Sequence, residues 1–239
     1  MTTIYNYILD KSKTKKHINA VLLDPDNYNE EKLDYILNLA ENNNVDFFLV
    51  GGSFVTTSLD NFIIKIKSKT NKNVILFPGS LLQLSKYADG ILLLSLISGR
   101  NPEFLIGNHV IAAPFLSKSK IEVISTSYIL ISTGNVSSVE YISNTKPIPE
   151  TKTDIILATA MAGEMLGHKM IYLEAGSGAQ NPIDPKLIKR IKNTVNIPLI
   201  VGGGIKTEKQ YNDALSAGAD IIVLGNVLEK NPEFLNIII

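Results

Sequence analysis

The residues best suited to chemistry lie in Tyr172-Leu-Glu-Ala-Gly-Ser-Gly178. Strand alternation places Tyr172 and Glu174 on one face and Leu173 on the other. A carboxylate and a phenol sharing an inward face are poor structural choices unless a ligand pairs with them. Gly176, Ser177 and Gly178 then offer backbone N–H groups and one hydroxyl, the makings of an anion nest. Two further glycine turns, Gly202-Gly203-Gly204 and Gly225-Asn226, follow apolar runs. Glycine lets the backbone approach a ligand with no Cβ in the way, and the N–H groups of a helix that follows suit a phosphate. Tight turns explain each glycine cluster alone; the three together read as one phosphate cradle.

A second group of candidates sits earlier in the chain. In Leu23-Asp24-Pro25-Asp26 the proline disfavours helical geometry at Asp24, leaving its carboxylate extended, either as a metal ligand or base or as a turn cap. Gly51-Gly52-Ser53 and Phe77-Pro-Gly-Ser80 are small-residue loops, and Ser53 adds a weak ligand for a hard cation. Ser95, Ser98 and Arg100 could line a polar rim, with ordinary surface exposure as the plainer reading. His17, His109 and His168 have no metal-ligand spacing, and a catalytic or zinc role for them is not expected.

These residues share a position: each group follows a short apolar run. Such runs, rich in Val, Ile, Leu and Phe, fall at 19–23, 46–50, 74–77, 90–94, 128–132, 170–173, 198–201 and 220–224. They fit parallel strands buried on both faces. Helical patterns at 29–43, 58–68, 154–165, 185–191 and 207–217 alternate with them, with N-cap signals at Asp184-Pro185 and Thr207. Eight strands and intervening helices predict a closed (β/α)8 barrel, whose chemistry sits at the strand C-terminal ends and whose last two loops are a frequent phosphate site. Only 80–89 separates the third strand from the fourth, too little for a full helix. The stretch 98–126, with Pro102, Gly107 and Pro114, reads as a long irregular connection, and 144–153 as another loop.

At 239 residues the chain matches a single barrel domain spanning 1–239. A formal net charge of zero gives no electrostatic footprint for nucleic acid. The absence of cysteine excludes disulfides and thiolate chemistry. No secretory signal pattern or membrane-length apolar run is present, so a cytoplasmic location is expected, with a peripheral membrane contact left open.

Taken in order, His17-Ile-x-x-x-Leu-Leu-Asp-Pro-Asp26, Val50-Gly-Gly-Ser53, Phe77-Pro-Gly-Ser80, Tyr172–Gly178, Val201-Gly-Gly-Gly204 and Gly225-Asn226 resemble the geranylgeranylglyceryl/heptaprenylglyceryl phosphate synthases. The resemblance implies a modified TIM barrel with helix 3 shortened or missing. It also implies Mg2+-dependent transfer of a prenyl group from a prenyl diphosphate to the 3-hydroxyl of sn-glycerol 1-phosphate. Asp24 and Ser53 match the metal positions. Tyr172, Leu173, Glu174, Ala175, Gly176, Ser177, Gly178, Gly203, Gly204, Gly225 and Asn226 match the glycerol-phosphate contacts, with Glu174 and Tyr172 as catalytic candidates. The resemblance further implies a homo-oligomer. Asn27 departs from the pattern, where many relatives carry Lys. The overall pattern is closer to the geranylgeranyl branch, with a heptaprenyl donor as the alternative. A phosphosugar isomerase or epimerase, and a non-catalytic phosphate sensor, are the rival readings of the same loops.

Overall fold

The strand runs recur in space as one closed parallel barrel, seen in a computed structural model described over residues 3–134 and 136–237. The barrel strands are β1 (Ile18–Leu23), β2 (Phe47–Val50), β3 (Asn73–Leu76), β4 (Gly90–Leu96), β5 (Glu122–Ser132), β7 (Met170–Glu174), β8 (Leu199–Gly202) and β9 (Ile221–Leu224). The order β4-β3-β2-β1-β9-β8-β7-β5 closes through β4 and β5, paired from Gly90↔Glu122 to Leu96↔Tyr128. A two-residue strand, β6 (Ile148–Pro149), pairs with the end of β5 within the stretch read as a loop. Every residue of β2, β7, β8 and β9 is buried, as the two-sided apolar runs require.

Helices α2 (Glu30–Asn42), α3 (Leu59–Lys67), α6 (Thr153–Met165), α7 (Pro185–Lys192) and α8 (Glu208–Ser216) fall where periodicity predicts them. Each lays apolar residues on the outer face of the barrel, such as Ile36, Ile63 and Ile188. The start of α2 is capped by Asn29, that of α7 by Asp184 with Pro185 next, and that of α8 by Thr207. Short helices α5 (Ser138–Ser143) and α9 (Asn226–Lys230) follow β5 and β9.

An N-terminal helix, α1 (Ile4–Lys13), closes the lower end of the barrel. Ile4 and Ile8 join the interior cluster with Ile18 and Ala20, and the carboxylate of Glu122 accepts from the N–H groups of Ile4 and Tyr5 at 2.6 and 3.0 Å. The upper end stays open.

Two connections matter for the site. Between β3 and β4 there is only a 3-10 turn, Leu81–Gln83, so the expected gap in the helical ring is present. The stretch after β4 is not irregular: a π turn at Glu103–Gly107 runs directly into α4 (Asn108–Lys118). This helix buries Ala112 and Leu116 but exposes Val110, Ile111 and Phe115, and it contains Pro114. It therefore lacks the apolar stripe that reveals a surface helix. Among the described residues no helix is long and apolar enough to cross a membrane.

Candidate active site

At the open end of the barrel, β7 directs Tyr172 and Glu174 inward and Leu173 outward into the layer under the helices. Tyr172 is fully buried and Glu174 nearly so. Glu174 Oε1 accepts from the N–H of Gly176 at 2.7 Å. Burial pushes the Glu174 carboxyl up to about 7, against the opposing pull of hydrogen bonds from Gly176 N–H and the hydroxyls of Tyr172 and Tyr128. A carboxyl placed there changes ionisation near neutrality and can accept a proton from a bound hydroxyl.

Glycines surround this pair for steric reasons. A Cβ on Gly202 would strike the Tyr172 hydroxyl, and one on Gly203 would lie 2.5 Å from Glu174 Oε1. Gly176, Gly178, Gly203 and Gly204 all adopt positive φ, between 73° and 102°. Asn226 accepts from Ser177 Oγ at 3.1 Å and from Gly178 N at 3.3 Å, tying the loop after β7 to the one after β9. A Cβ on Gly203 would also lie 3.0 Å from Gly176 N, so all three loops converge. At the start of α8 a capping box, in which Thr207 accepts from Gln210 N and Gln210 accepts from Thr207 N, takes up two of the N–H groups there. Asn226 opens α9, so the cradle combines loop backbone with the start of that helix.

Leu173 contributes backbone alone, and Ala175 is buried with its N–H bonded to Gly202 O at 3.1 Å. Ser98 and Arg100 belong elsewhere: Ser98 Oγ accepts from Leu130 N, and Arg100 donates to the carbonyls of Ile97 and Gly99. These bonds shape the turn after β4.

Two aromatic residues complete the interior. Tyr128 on β5 stands in register with Tyr172 on β7, and both rings pack against Phe77 at the end of β3. The Tyr128–Tyr172 and Phe77–Tyr172 centroid distances are 5.3 and 5.2 Å. Burial raises both phenols well above their ordinary range, with the Glu174 charge adding to it. Tyr128 is not a functional candidate in the sequence, and Phe77 enters there only as the start of the Phe77–Ser80 loop. The available signal is that a tyrosine interrupts an aliphatic run on the strand neighbouring β7.

From Tyr128 an apolar groove opens toward the place of the missing helix. Its walls include Leu81 and Leu84 beside the 3-10 turn, Ile91 and Leu93 on β4, and Phe104 and Ala112 from the π turn and α4. Its cavity volume is about 100 Å³, that of a narrow apolar slot. His109 also lines it, bonded through Nε2 to Ser95 Oγ at 3.0 Å, and burial lowers its pKa. His168 pairs through Nδ1 with Ser127 Oγ. These bonds tie His109 of α4 to β4 and His168, which follows α6, to β5.

At the other side of the mouth, separated from β8 by β9, are β1 and β2 with Asp24 and Ser53. Asp24 is half-buried; one oxygen accepts from Asp26 N at 3.1 Å, and burial raises its pKa. A Cβ on Gly52 would lie 2.7 Å from the other oxygen, so glycine keeps space open beside the carboxylate. Asp26 accepts from Thr56 N, Thr56 Oγ1 and Thr57 N at 2.8 to 3.0 Å, joining the loops after β1 and β2. A single carboxylate and a hydroxyl beside open space fit a hard cation such as Mg2+, which keeps waters and shares substrate phosphate oxygens. Among the described residues no group of three His, Cys, Asp or Glu forms an all-protein metal cage. Asn27 turns away toward α9 and donates to Glu229 Oε1 at 3.1 Å.

Known proteins resemble the whole chain. The geranylgeranylglyceryl phosphate synthase of Spirosoma linguale is 47% identical, covering 98% of this chain and 93% of its own. That of Chitinophaga pinensis is 48% identical, with 97% and 92% covered. A crystal structure of (S)-3-O-geranylgeranylglyceryl phosphate synthase from Thermoplasma acidophilum, in complex with substrate sn-glycerol-1-phosphate, superposes with a TM-score of 0.92. It is 33% identical and covers 100% of this chain and 96% of that one. Residues 10–238 match the PcrB family, and the chain belongs to it.

Proposed function

We propose that this protein forms an ether bond between the geranylgeranyl group of its diphosphate and the 3-hydroxyl of sn-glycerol 1-phosphate. The observation that carries the reading is one continuous site. A glycine-lined cradle with a buried carboxyl meets an apolar groove at Tyr128. A phosphosugar isomerase needs the cradle but has no use for the groove.

In this reading the loops at Gly176–Gly178, Gly203-Gly204 and Gly225-Asn226 hold the acceptor phosphate through backbone N–H groups. Glu174 binds the glycerol hydroxyls and orients the 3-oxygen toward the prenyl C1. Asp24 and Ser53 would hold Mg2+, which when bound offsets the charge of the departing diphosphate. The C1–O bond to diphosphate breaks, the C1–O3 ether bond forms, and the hydroxyl proton passes to Glu174. Tyr128 and Phe77, which line the groove, present electron-rich rings that stabilise developing positive charge at C1. Tyr128 also stands between the groove and the cradle, keeping the isoprenoid apart from the polar acceptor.

Purified protein with Mg2+, labelled sn-glycerol 1-phosphate and prenyl diphosphates of graded length is expected to give an ether-linked product, most rapidly with the C20 donor. Absence of product with every donor would overturn the reading; preference for the heptaprenyl donor would transfer it to the longer-chain branch. A cytoplasmic, homo-oligomeric enzyme with a peripheral membrane contact completes the proposal, tested by sedimentation and by vesicle flotation.

A further inference from the structure

Gln83 belongs to the 3-10 turn that stands where a regular barrel has its third helix, and its side chain is buried. Its neighbours Leu81 and Leu84 face the apolar groove, whereas its amide reaches the loops after β2 and β3. Oε1 accepts from Gly52 N at 3.1 Å and Gly79 N at 3.3 Å, and Nε2 donates to Gly52 O at 2.7 Å. One side chain thus grips both loops.

These loops meet backbone to backbone. A Cβ on Gly51 would collide with the Phe77 carbonyl, and one on Gly79 with the Gly52 carbonyl. Contact that close shuts water away from the amides, so their polar groups need a partner from the protein. Gln83 satisfies three of them. Ser53 and Ser80, one residue beyond each gripped glycine, line the groove, and Asp24 lies against Gly52.

The geometry points to Gln83 as a positioning residue for the prenyl donor. Its amide locks the two loops into one rim, so that Asp24, Ser53 and Ser80 hold a fixed spacing before the diphosphate arrives. Preset groups bind an anion without the cost of ordering them. All three hydrogen bonds of the amide go to the donor-side loops, so the acceptor cradle on β7, β8 and β9 is untouched. The amide carries no charge, and its action is independent of pH. That the anion is the donor's diphosphate rests on the synthase reading above.

The test compares wild type with Gln83→Leu and Gln83→Asn. The leucine removes the amide; the asparagine keeps it but is one methylene too short to reach both loops. Magnesium diphosphate is titrated calorimetrically, and KM is measured for each substrate. The expected result is an about tenfold loss of diphosphate affinity, the worth of one or two hydrogen bonds. KM for the prenyl donor should rise by a similar factor while KM for sn-glycerol 1-phosphate stays within about twofold. If Gln83→Leu does not fold, Gln83→Asn carries the comparison. Unchanged diphosphate affinity in a folded variant, or equal weakening of both substrates, would overturn the assignment. Should the wild type make no ether product, the synthase reading fails while diphosphate affinity still reads the clamp.

Discussion

The hydroxyl of Tyr128 hydrogen-bonds the carboxyl of Glu174, and that contact joins the apolar groove to the glycine cradle. The bond stabilises the carboxylate and so lowers the Glu174 pKa, against a burial effect that raises it to about 7. Removing the hydroxyl with Tyr128→Phe is expected to move the low-pH limb of kcat/KM upward from about 7. The same change should cost about tenfold in kcat/KM near neutrality, the value of one hydrogen bond to a charged group. A pH–rate profile of both proteins checks it; an unshifted limb would separate Tyr128 from the ionisation of Glu174.

Glu174 itself sets stability against pH. Its carboxyl rises from 4.5 to about 7 on folding, so the native state holds the proton more tightly than the unfolded chain. The resulting stabilisation is fully present below about 4.5 and disappears as pH rises through about 7. Glu174→Gln cannot ionise, so wild type should lose thermal stability relative to it between those limits. Transfer activity of the same variant should fall by about 100-fold or more if the carboxylate takes the proton. Melting curves at several pH values, together with turnover, test both halves. Retained full activity would remove Glu174 as base and orienter.

The barrel is legible in the sequence because two-sided burial writes itself as short aliphatic runs. It is less legible where polar residues sit on an outer strand face. β5 begins at Glu122, not near Tyr128, because Ser125 and Ser127 interrupt the apolar pattern. Their hydroxyls pair with Lys169 N and His168, which nothing local foretells. α4 is hidden for the opposite reason: exposed Val110 and Ile111 blur its buried face. In the site, Glu174 and the glycines are legible because their types are unusual at strand ends. Tyr128, Asp26 and Gln83 are not, since their roles depend on partners 46, 30 and 31 residues away or on the two loops they join.

Positive φ alone and positive φ beside a substrate have different signatures. Gly167 follows α6 with φ 83°, and a Cβ there would meet nothing within 4 Å. Gly203 has the same φ, but its Cβ would lie 2.5 Å from Glu174 Oε1. Gly167→Ala should lose about 1 to 2 kcal/mol of stability from left-handed backbone strain, with kinetics unchanged. Gly203→Ala should add to that a displaced Glu174 and a KM for sn-glycerol 1-phosphate raised by about tenfold. Denaturant titration and steady-state kinetics on the pair separate strain from site geometry. A raised KM in Gly167→Ala would show that the cradle responds to distant strain.

The donor side offers a cleaner separation of metal from fold. Asp24 has one oxygen committed to Asp26 N and the other facing the space kept open by Gly52. Asp24→Asn preserves an acceptor for Asp26 N and removes only the charge, so the fold should keep its stability. Loss of that charge leaves the diphosphate less well neutralised, and turnover should fall by about 100-fold or more. Chelation of Mg2+ in wild type should abolish transfer and be reversed by adding the ion back. In Asp24→Asn excess Mg2+ should give no such recovery, while sn-glycerol 1-phosphate affinity, measured by calorimetry, stays at the wild-type value because the cradle lies beyond β9. Transfer that survives both chelation and Asp24→Asn would exclude Asp24 as a metal ligand and leave its carboxylate as the N-cap of the Pro25–Asn27 turn.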